Sequence, residues 1–387
     1  MKNLFVKKYA VFIFFLAFSV HTFVVASPFE KPHLITPEVV LPSTSGLGGT
    51  YSTYNRNVNI LFSNPALYPF AQKKITITAL NVRADILTFQ ALQHIKEKDR
   101  DAKLINLLSN TKSLCTTATL TGPISFAFVD QNFAVGVFNT TKATFLLPSL
   151  SHFYAIMGED VYITGGYGGV VYQDDTHTVS LGFNMKGFLQ TYAYIIGTVF
   201  NSSLTLYRKQ LYGVPLVLQA GFGVDAGFIY KYTDKFTLGA TLKDIYTPVF
   251  LSYYENYKDF INGKKTGGTG YKAFLPNLTI GCSIQAFPID HFKNIHALTF
   301  YFDWRNIFSF IPSVKRNYLL NFAFGGELIL HRVLSIRLGI ADLYPQVGLG
   351  LDFTYFNLDF SVYARELSLS PWQRPFVNIE IGMRFDI

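Results

Sequence analysis

Residue types that could carry catalytic chemistry are sparse in this chain of 387 residues. Ser151 and His152 could supply a nucleophile and a base, but adjacent residues of a strand or loop point apart and no third, orienting group can be assigned. The sequence holds no His-Glu-x-x-His, Cys-x-x-Cys or phosphate-loop motif, and the glycines of 165–169 lie within a strand pattern rather than before a helix. The sequence therefore predicts a protein that is not an enzyme, with no cofactor and no metal site.

The two cysteines, Cys115 and Cys282, stand 167 residues apart. Two cysteines are too few for a disulfide framework or a zinc site. Cys282 shares the apolar register of its strand with Ile280 and Ile284, so it should behave as a small hydrophobic residue. We expect two independent thiols.

The composition favours large, strand-forming side chains. Hydrophobic residues make up 49% of the chain, aromatic residues 17% and charged residues 15%, against about 25% charged residues in typical globular domains. So little charge excludes intrinsic disorder, and 38 Phe with 24 Tyr against four Met favour strands over helices. Past residue 26 no apolar run reaches the length of a membrane-spanning helix. The membrane architecture that remains is a β-barrel.

An export signal is predicted at the N-terminus. Three lysines within residues 1–8 form a basic region, Ala10 to Val20 an apolar region, and Val24-Val25-Ala26 a small-residue cleavage site. We expect residues 1–26 to be removed; a retained anchor is the alternative, which His21 within the stretch disfavours. Removal leaves 30 of the 33 basic residues against 25 acidic ones, with no polybasic run. A nucleic-acid partner is therefore not expected.

Apolar and polar residues alternate with period two in segments about ten residues long. This pattern is typical of strands with one lipid face and one lumen face. An aromatic residue near the chain end resembles the signal read by the outer-membrane insertion machinery, although the last residue is an isoleucine. The clearest segment is the last, in which Val377, Ile379, Ile381, Met383, Phe385 and Ile387 alternate with Asn378, Glu380, Gly382, Arg384 and Asp386.

Fifteen segments show the alternation, and bacterial single-chain barrels have even strand numbers. We predict an all-β fold, a transmembrane antiparallel β-barrel of about fourteen strands, with 190–200 as the segment left out of the count. Two soluble sandwiches in tandem are the alternative, but they would not place aromatic residues on one face of nearly every strand. The segments are 73–82, 123–130, 132–139, 161–172, 176–187, 190–200, 216–232, 235–246, 276–286, 296–305, 318–329, 333–341, 345–355, 357–365 and 376–386.

Three segments lack the strand pattern. Residues 27–72 are rich in Pro, Gly, Ser and Asn, cannot face lipid, and are predicted to form a plug in the lumen of a barrel built from residues 73–387. Residues 84–110 place apolar residues at helical spacing around a charged run, which predicts a short helical insert. Residues 252–272 predict a long polar surface loop.

Charged residues of both signs fall on the lumen register of the strands. An ion-selective pore would concentrate one sign at its constriction, so we expect ion pairs within the wall and between wall and plug instead. These residues are Asp225, Lys231, Lys243, Asp303, Arg305, Glu327, Arg337, Asp352, Asp359, Glu380 and Arg384.

Two short motifs stand in the predicted plug. The first is Ser-Gly-Leu-Gly-Gly-Thr-Tyr at 45–51, and the second is Phe-Ser-Asn-Pro-Ala-Leu at 62–67. Pro65 lacks an amide hydrogen and restricts Asn64 to extended geometry, while the Asn64 side chain can both donate and accept. The second motif therefore predicts a rigid turn inside a protein-lined cavity, with an ordinary loop turn as the alternative.

The two motifs resemble the start of the FadL/TodX family of outer-membrane transporters for long-chain fatty acids and other hydrophobic compounds, and the chain is most similar to an uncharacterised spirochaete branch of it. In that family the matching Asn-Pro-Ala lies in a plug inside a fourteen-stranded barrel. The resemblance carries over to Asn64, Pro65 and Ala66, which with Gly46 and Gly48 are our predicted ligand-binding and gating residues.

The resemblance implies passive uptake through a barrel in the outer membrane. The implied partners are hydrophobic small molecules or fatty acids, outer-membrane lipid and the outer-membrane insertion machinery. A structural or surface-interaction barrel of the adhesin or antigen kind is the alternative, and its activity would lie in loops such as 252–272.

Overall fold

The computed structural model describes residues 34–88, 114–149, 152–198, 213–287, 295–310 and 316–387. The predicted export signal and Ser151 lie outside these ranges. Residues 36–387 form one unit by their contacts. Within the described ranges, no helix is both long and apolar enough to cross a membrane.

In the part of the chain that the structure describes, sixteen antiparallel strands form a single sheet. They are β1 (Lys74–Asp85), β2 (Leu114–Asp130), β3 (Phe133–Ser149), β4 (His152–Gln173), β5 (His177–Thr198), β6 (Leu216–Tyr232), β7 (Phe236–Tyr246), β8 (Pro248–Tyr254), β9 (Gly268–Ala273), β10 (Asn277–Phe287), β11 (Ile295–Trp304), β12 (Phe322–Leu330), β13 (Leu334–Ala341), β14 (Tyr344–Asp352), β15 (Phe356–Glu366) and β16 (Pro375–Asp386).

The sheet closes on itself. β1 pairs with β16, β5 with β6 and β7 with β10, so that β1–β7 and β10–β16 make a ring of fourteen strands. A closed ring leaves no unpaired edge. The alternation thus predicted the fold class and the strand number correctly, and the tandem sandwiches are wrong.

Strands β8 and β9 extend the wall without adding to the ring. β7 pairs with residues 224–232 of β6 and β8 pairs with residues 216–221, so β7 and β8 are successive parts of one broken wall strand. β9 pairs with β8 and the chain then continues into β10.

The prediction of a polar loop over 252–272 is therefore wrong at both ends, because residues 252–254 belong to β8 and residues 268–272 belong to β9. Between them lies a short helix, α2 (Tyr257–Ile261). One face of β9 carries Gly268, Gly270 and Lys272 and the other carries Thr269, Tyr271 and Ala273. Glycines, a threonine and a lysine hide the strand pattern in this short extension.

Other boundaries also differ from the sequence prediction. β2 and β4 begin nine residues before the predicted segments 123–130 and 161–172, and β3 ends ten residues after 132–139. Residues 190–200 belong largely to β5, a continuous strand of 22 residues, because no turn separates them from 176–187. The insert predicted at 84–110 begins too early, since Ala84 and Asp85 complete β1 opposite Ile379 and Asn378. Residues 86–88 are helical, and the rest of the predicted insert lies outside the described residues.

The two faces of the wall have the predicted identities. In β16, Ile381 and Phe385 are 45% and 49% exposed, whereas Glu380 and Arg384 on the lumen face keep only 1% and 7%. The outward band of large apolar side chains is the lipid-facing surface of a transmembrane barrel.

Lumen charges of opposite sign form ion pairs. Arg337 Nε lies 2.9 Å from Glu327 and its Nη1 2.6 Å from Asp359, while Lys186 Nζ lies 2.8 Å from Asp225. Arg337 thus pairs with Glu327 on the neighbouring strand β12 and with Asp359 two strands away on β15, and Lys186 pairs with Asp225 on the neighbouring strand β6. Both Cys115 and Cys282 are free thiols.

Residues 36–72 lie inside the ring and are called the plug below. The first part of the predicted plug 27–72, residues 27–33, lies outside the described ranges. The plug contains the short helix α1 (Pro42–Ser45) and two 3-10 helices, Asn57–Phe62 and Pro65–Phe70. Its apolar residues pack on inward-facing wall residues in a cluster that we call the apolar seam. The seam consists of Val58, Ile60, Leu61, Ala66, Leu67, Tyr68 and Ala71 of the plug and Ala127, Val129, Ala134, Phe138 and Ile229 of the wall.

Candidate functional site

Asn64 fixes the middle of the plug to the wall. Its side chain is fully buried, and Nδ2 donates to three backbone carbonyls, those of Ser52 at 3.1 Å, Phe228 at 3.0 Å and Ala240 at 3.1 Å. Its Oδ1 accepts from the Ala66 amide at 3.0 Å and thereby starts the 3-10 helix that follows. The predicted rigid turn is thus bonded both to itself and to β6 and β7.

Three glycines make the wall flat where this turn approaches it. Gly168, Gly182 and Gly227 lie on β4, β5 and β6, and a Cβ on any of them would overlap the backbone or side chain of Asn64-Pro65-Ala66. The turn therefore fits the wall only because these three positions have no side chain.

The first motif meets the other side of the barrel in the same way. Gly46 lies so close to Gly348 of β14 that a Cβ would come within 2.8 Å of the Gly348 Cα. Gly48 has φ +76, a left-handed conformation that favours glycine. Gly325 and Gly339 of β12 and β13 lie against Leu47 and Gly48, and a Cβ on either would overlap their backbone.

Asp303 of β11 joins the two motifs. Its Oδ2 accepts from the Tyr51 amide at 2.7 Å and from the Ser52 amide at 3.1 Å, and its Oδ1 accepts from the Ser52 hydroxyl. The Ser52 carbonyl in turn accepts from Asn64. The structure thus brings all five predicted residues, Gly46, Gly48, Asn64, Pro65 and Ala66, into contact with the wall, but on two different sides of the lumen.

Cavities lie on both sides of the plug. The upper chamber, at the end of the barrel where β13 turns into β14, has a volume of about 690 Å³. Two lower chambers of about 510 and about 840 Å³ lie at the end that carries the turns 131–132 and 233–235.

The apolar seam borders the chambers at both ends. Leu61 and the adjoining Phe62 line the upper chamber, and Ala71, Leu67 and Val129 line the lower ones. In a lumen where charges pair on most strands, the seam offers a continuous apolar surface between plug and wall. Its residues are nevertheless tightly packed: Leu61, Leu67 and Ala71 are 2%, 1% and 7% exposed.

The ladder of backbone pairs between β1 and β2 is interrupted beside the seam. Residues 77–80 have no β2 partners, and the pairing resumes at Asn81 opposite Thr121. The Thr78 side chain bridges the interruption, since it donates to the Pro123 carbonyl at 3.0 Å. On the other side of β2, the Asn139 side chain of β3 accepts from the Ile124 amide at 2.9 Å.

A cluster of charges holds the N-terminal part of the plug. Glu38 receives a fork from Arg83, with Nη1 to Oε1 at 2.5 Å and Nη2 to Oε2 at 2.9 Å. Lys142 Nζ lies 3.3 Å and Arg365 Nη1 3.7 Å from the same carboxylate. Enclosure in the lumen alone would raise the pKa of Glu38, but the hydrogen bonds and charge of Arg83, with the charges of Arg365 and Lys142, hold that pKa well below its usual range.

Sequence reasoning missed this cluster. Arg83 lies one residue past the predicted end of strand 73–82, and Lys142 lies past the predicted end of strand 132–139, where Thr140 and Thr141 put polar residues on both faces. The sequence did carry one signal for contact between plug and wall, the glycines on the lumen face of the strands. Glycines in a strand indicate that another backbone approaches closely, but they do not predict charged partners. Among the described residues, no group of three or more His, Cys, Asp or Glu is placed to hold a metal ion.

Comparisons with known proteins give structural likenesses. No family model matches the chain, and no curated protein matches it. The toluene transporter TbuX of Ralstonia pickettii is similar over 89% of this chain and 97% of its own, at 11% identity and a TM-score of 0.47. The toluene transporter TodX of Pseudomonas putida matches at 12% identity, over 89% and 96%, with a TM-score of 0.43.

A FadL homologue from Pseudomonas aeruginosa matches at 12% identity over the same shares of the two chains, with a TM-score of 0.41. Two of these neighbours are toluene transporters and the third is a FadL homologue. The motifs at 45–51 and 62–67 resemble the FadL/TodX family. The spirochaete branch stays a prediction.

Proposed function

We propose that this chain is an outer-membrane channel for passive uptake of hydrophobic small molecules, long-chain fatty acids among them, and that the plug is its gate. The apolar seam carries this proposal. Barrel lumens are ordinarily polar, and here the polar wall pairs its own charges, whereas the seam gives an apolar solute a surface that reaches from the upper chamber to the lower ones.

A solute that enters the upper chamber meets the seam at Leu61 and Phe62. Because the seam is packed, the solute can advance only if the plug shifts, and the turn at Asn64-Pro65-Ala66 is the part of the plug that holds the seam against β6. The solute then leaves toward the lower chambers or toward the wall beside the interrupted β1–β2 ladder. No covalent chemistry is involved, and the concentration gradient is the driving force.

The test is uptake of a fluorescent long-chain fatty acid by cells that carry wild type, the double variant Asn64→Ala/Pro65→Gly, or the control Asn262→Ala, at matched surface abundance. Asn262 is exposed at the end of α2, far from the plug in sequence. We expect faster uptake in the double variant alone, because its plug loses three hydrogen bonds to Ser52, Phe228 and Ala240.

Efflux of a small sugar serves as the leak control, and it should stay low in all three strains. Uptake that is equal in all strains, or absent from all, contradicts the proposal. That outcome would favour a surface-interaction barrel, which would act through its external segments and whose activity plug substitutions would not change.

A further inference from the structure

Three cations on different strands converge on one carboxylate of the plug. Arg83 comes from β1, Lys142 from β3 and Arg365 from β15, and all three lie within 4 Å of Glu38. A fork of two parallel N–H donors is the geometry by which arginine recognises any carboxylate. The wall therefore presents a carboxylate receptor, and the plug fills it.

The wall holds the receptor in place by its own contacts. Arg83 Nη2 also donates to Thr119 of β2 at 3.0 Å, and Nη1 lies 3.9 Å from Glu380 of β16. Arg365 stacks over the Tyr363 ring, with its guanidinium carbon 5.3 Å from the ring centroid. These partners would remain if Glu38 left, so Arg83 and Arg365 do not depend on the plug for their positions.

The receptor opens to the upper chamber. Glu38, Arg83 and Arg365 all line that chamber, and the Glu38 side chain keeps 31% exposure, so a solute there can reach the fork. The apolar side chain of Val39, next to Glu38, lines the same chamber and packs against the seam. A molecule with a carboxylate head and an apolar chain matches this pair of surfaces.

We propose that Arg83, Lys142 and Arg365 bind the carboxylate head of the transported amphiphile, and that Glu38 occupies this site as an internal competitor while the plug is closed. The inference rests on the proposed function. An incoming carboxylate exchanges places with Glu38, and the exchange frees the segment around Val39 from the wall. The three cations hold one carboxylate before the exchange and one after it, so opening leaves no buried cation unpaired.

The experiment measures binding of two probes to the purified, folded full chain by native mass spectrometry. The probes are oleate and oleyl alcohol, which share the chain and differ in the carboxylate, and acetate shows whether a carboxylate binds without a chain. The variants are Glu38→Gln, which removes the competing charge, and Glu255→Gln, an exposed loop residue that serves as the matched control.

We expect Glu38→Gln to bind oleate about tenfold more tightly, since the incoming carboxylate no longer competes with a charged side chain for the Arg83 fork. Oleyl alcohol should bind both proteins equally, Glu255→Gln should match wild type, and acetate should bind far more weakly than oleate. Adding Arg365→Gln or Lys142→Gln to Glu38→Gln should remove the gain.

Other outcomes overturn the inference in distinguishable ways. Suppose that oleyl alcohol binds, but Glu38→Gln changes the affinity for oleate no more than the affinity for oleyl alcohol. The receptor role is then wrong and the proposed function stands. If the gain persists in both double variants, the carboxylate binds elsewhere. If neither probe binds any variant, the proposed function fails together with the inference.

Discussion

The plug is held at two places by opposite kinds of contact. At Asn64 the contact is neutral, fully buried and fitted to glycines of the wall, so that no solute can reach it. At Glu38 the contact is ionic, partly exposed and open to the upper chamber. The plug therefore has two kinds of attachment: the contact at Asn64 anchors it by shape and by hydrogen bonds, and the contact at Glu38 is one that a ligand can replace.

The largest effect should come from Asn64→Asp. The carboxylate cannot donate to the three carbonyls that now accept from Asn64 and would repel them, which should cost at least about 3 kcal/mol. Hydrogen exchange of the backbone amides at residues 64–71 should accelerate strongly, while the exchange rate at residues 36–41 should change little. The same substitution at exposed Asn262 is the control, and equal exchange in the two variants would show that Asn64 is not an anchor.

Gly227→Ala should come next. Its Cβ would overlap Asn64 Oδ1, and overpacking of this kind costs about 1–3 kcal/mol. Gly187→Ala on β5 is the matched control, because nothing lies within 4 Å of a Cβ there. The melting temperature in detergent should fall only for Gly227→Ala; equal melting temperatures would mean that the turn does not press on the wall.

Salt should weaken the ionic contact at Glu38. Raising NaCl from about 0.1 M to about 1 M shortens the screening length from about 10 Å to about 3 Å. Partly exposed ion pairs contribute about 0.2–1 kcal/mol, so exchange at 36–41 should rise by up to about fivefold. Amide exchange at residues 64–71, where the contact is neutral, should not change with salt. A rise in exchange at both 36–41 and 64–71 would show that the two contacts do not differ in kind.

Mild acid should have the smallest effect. Because the pKa of Glu38 is depressed by Arg83, its ion pair contributes stability above the unfolded carboxyl value of about 4.3, and this contribution is lost as the pH falls through the depressed value. Exchange at 36–41, corrected for its intrinsic pH dependence, should therefore be the same at pH 7 and pH 5. Loosening within that interval would contradict the ion pair.

Period-two alternation was sufficient to predict the wall, because lipid on one side and a lumen on the other force each spanning segment to carry two faces. It could not place the strand ends, because the backbone pairing continues beyond the segments that alternate most clearly. Lys142 follows Thr140 and Thr141, which put polar residues on both faces, whereas Arg83 lies one residue past a predicted end although the alternation continues there. The short strands β8 and β9 went unrecognised because neither shows alternation of apolar and polar residues.

The turn at Asn64-Pro65-Ala66 could be predicted, because proline fixes local geometry. Its partners could not, since Phe228 and Ala240 lie 164 and 176 residues away and no local pattern encodes them. The same holds for Glu38, whose three cations come from three separate strands.

The glycines that face the plug also bear on how this chain can evolve. At Gly182 and Gly339 a single added methyl group meets backbone rather than a movable side chain, so that a replacement is tolerated only if the plug's path shifts with it. Plug and wall should therefore covary among relatives, with gains of bulk on one matched by losses on the other. A plug transplanted from a distant relative should fail to seat unless these wall positions are transplanted with it.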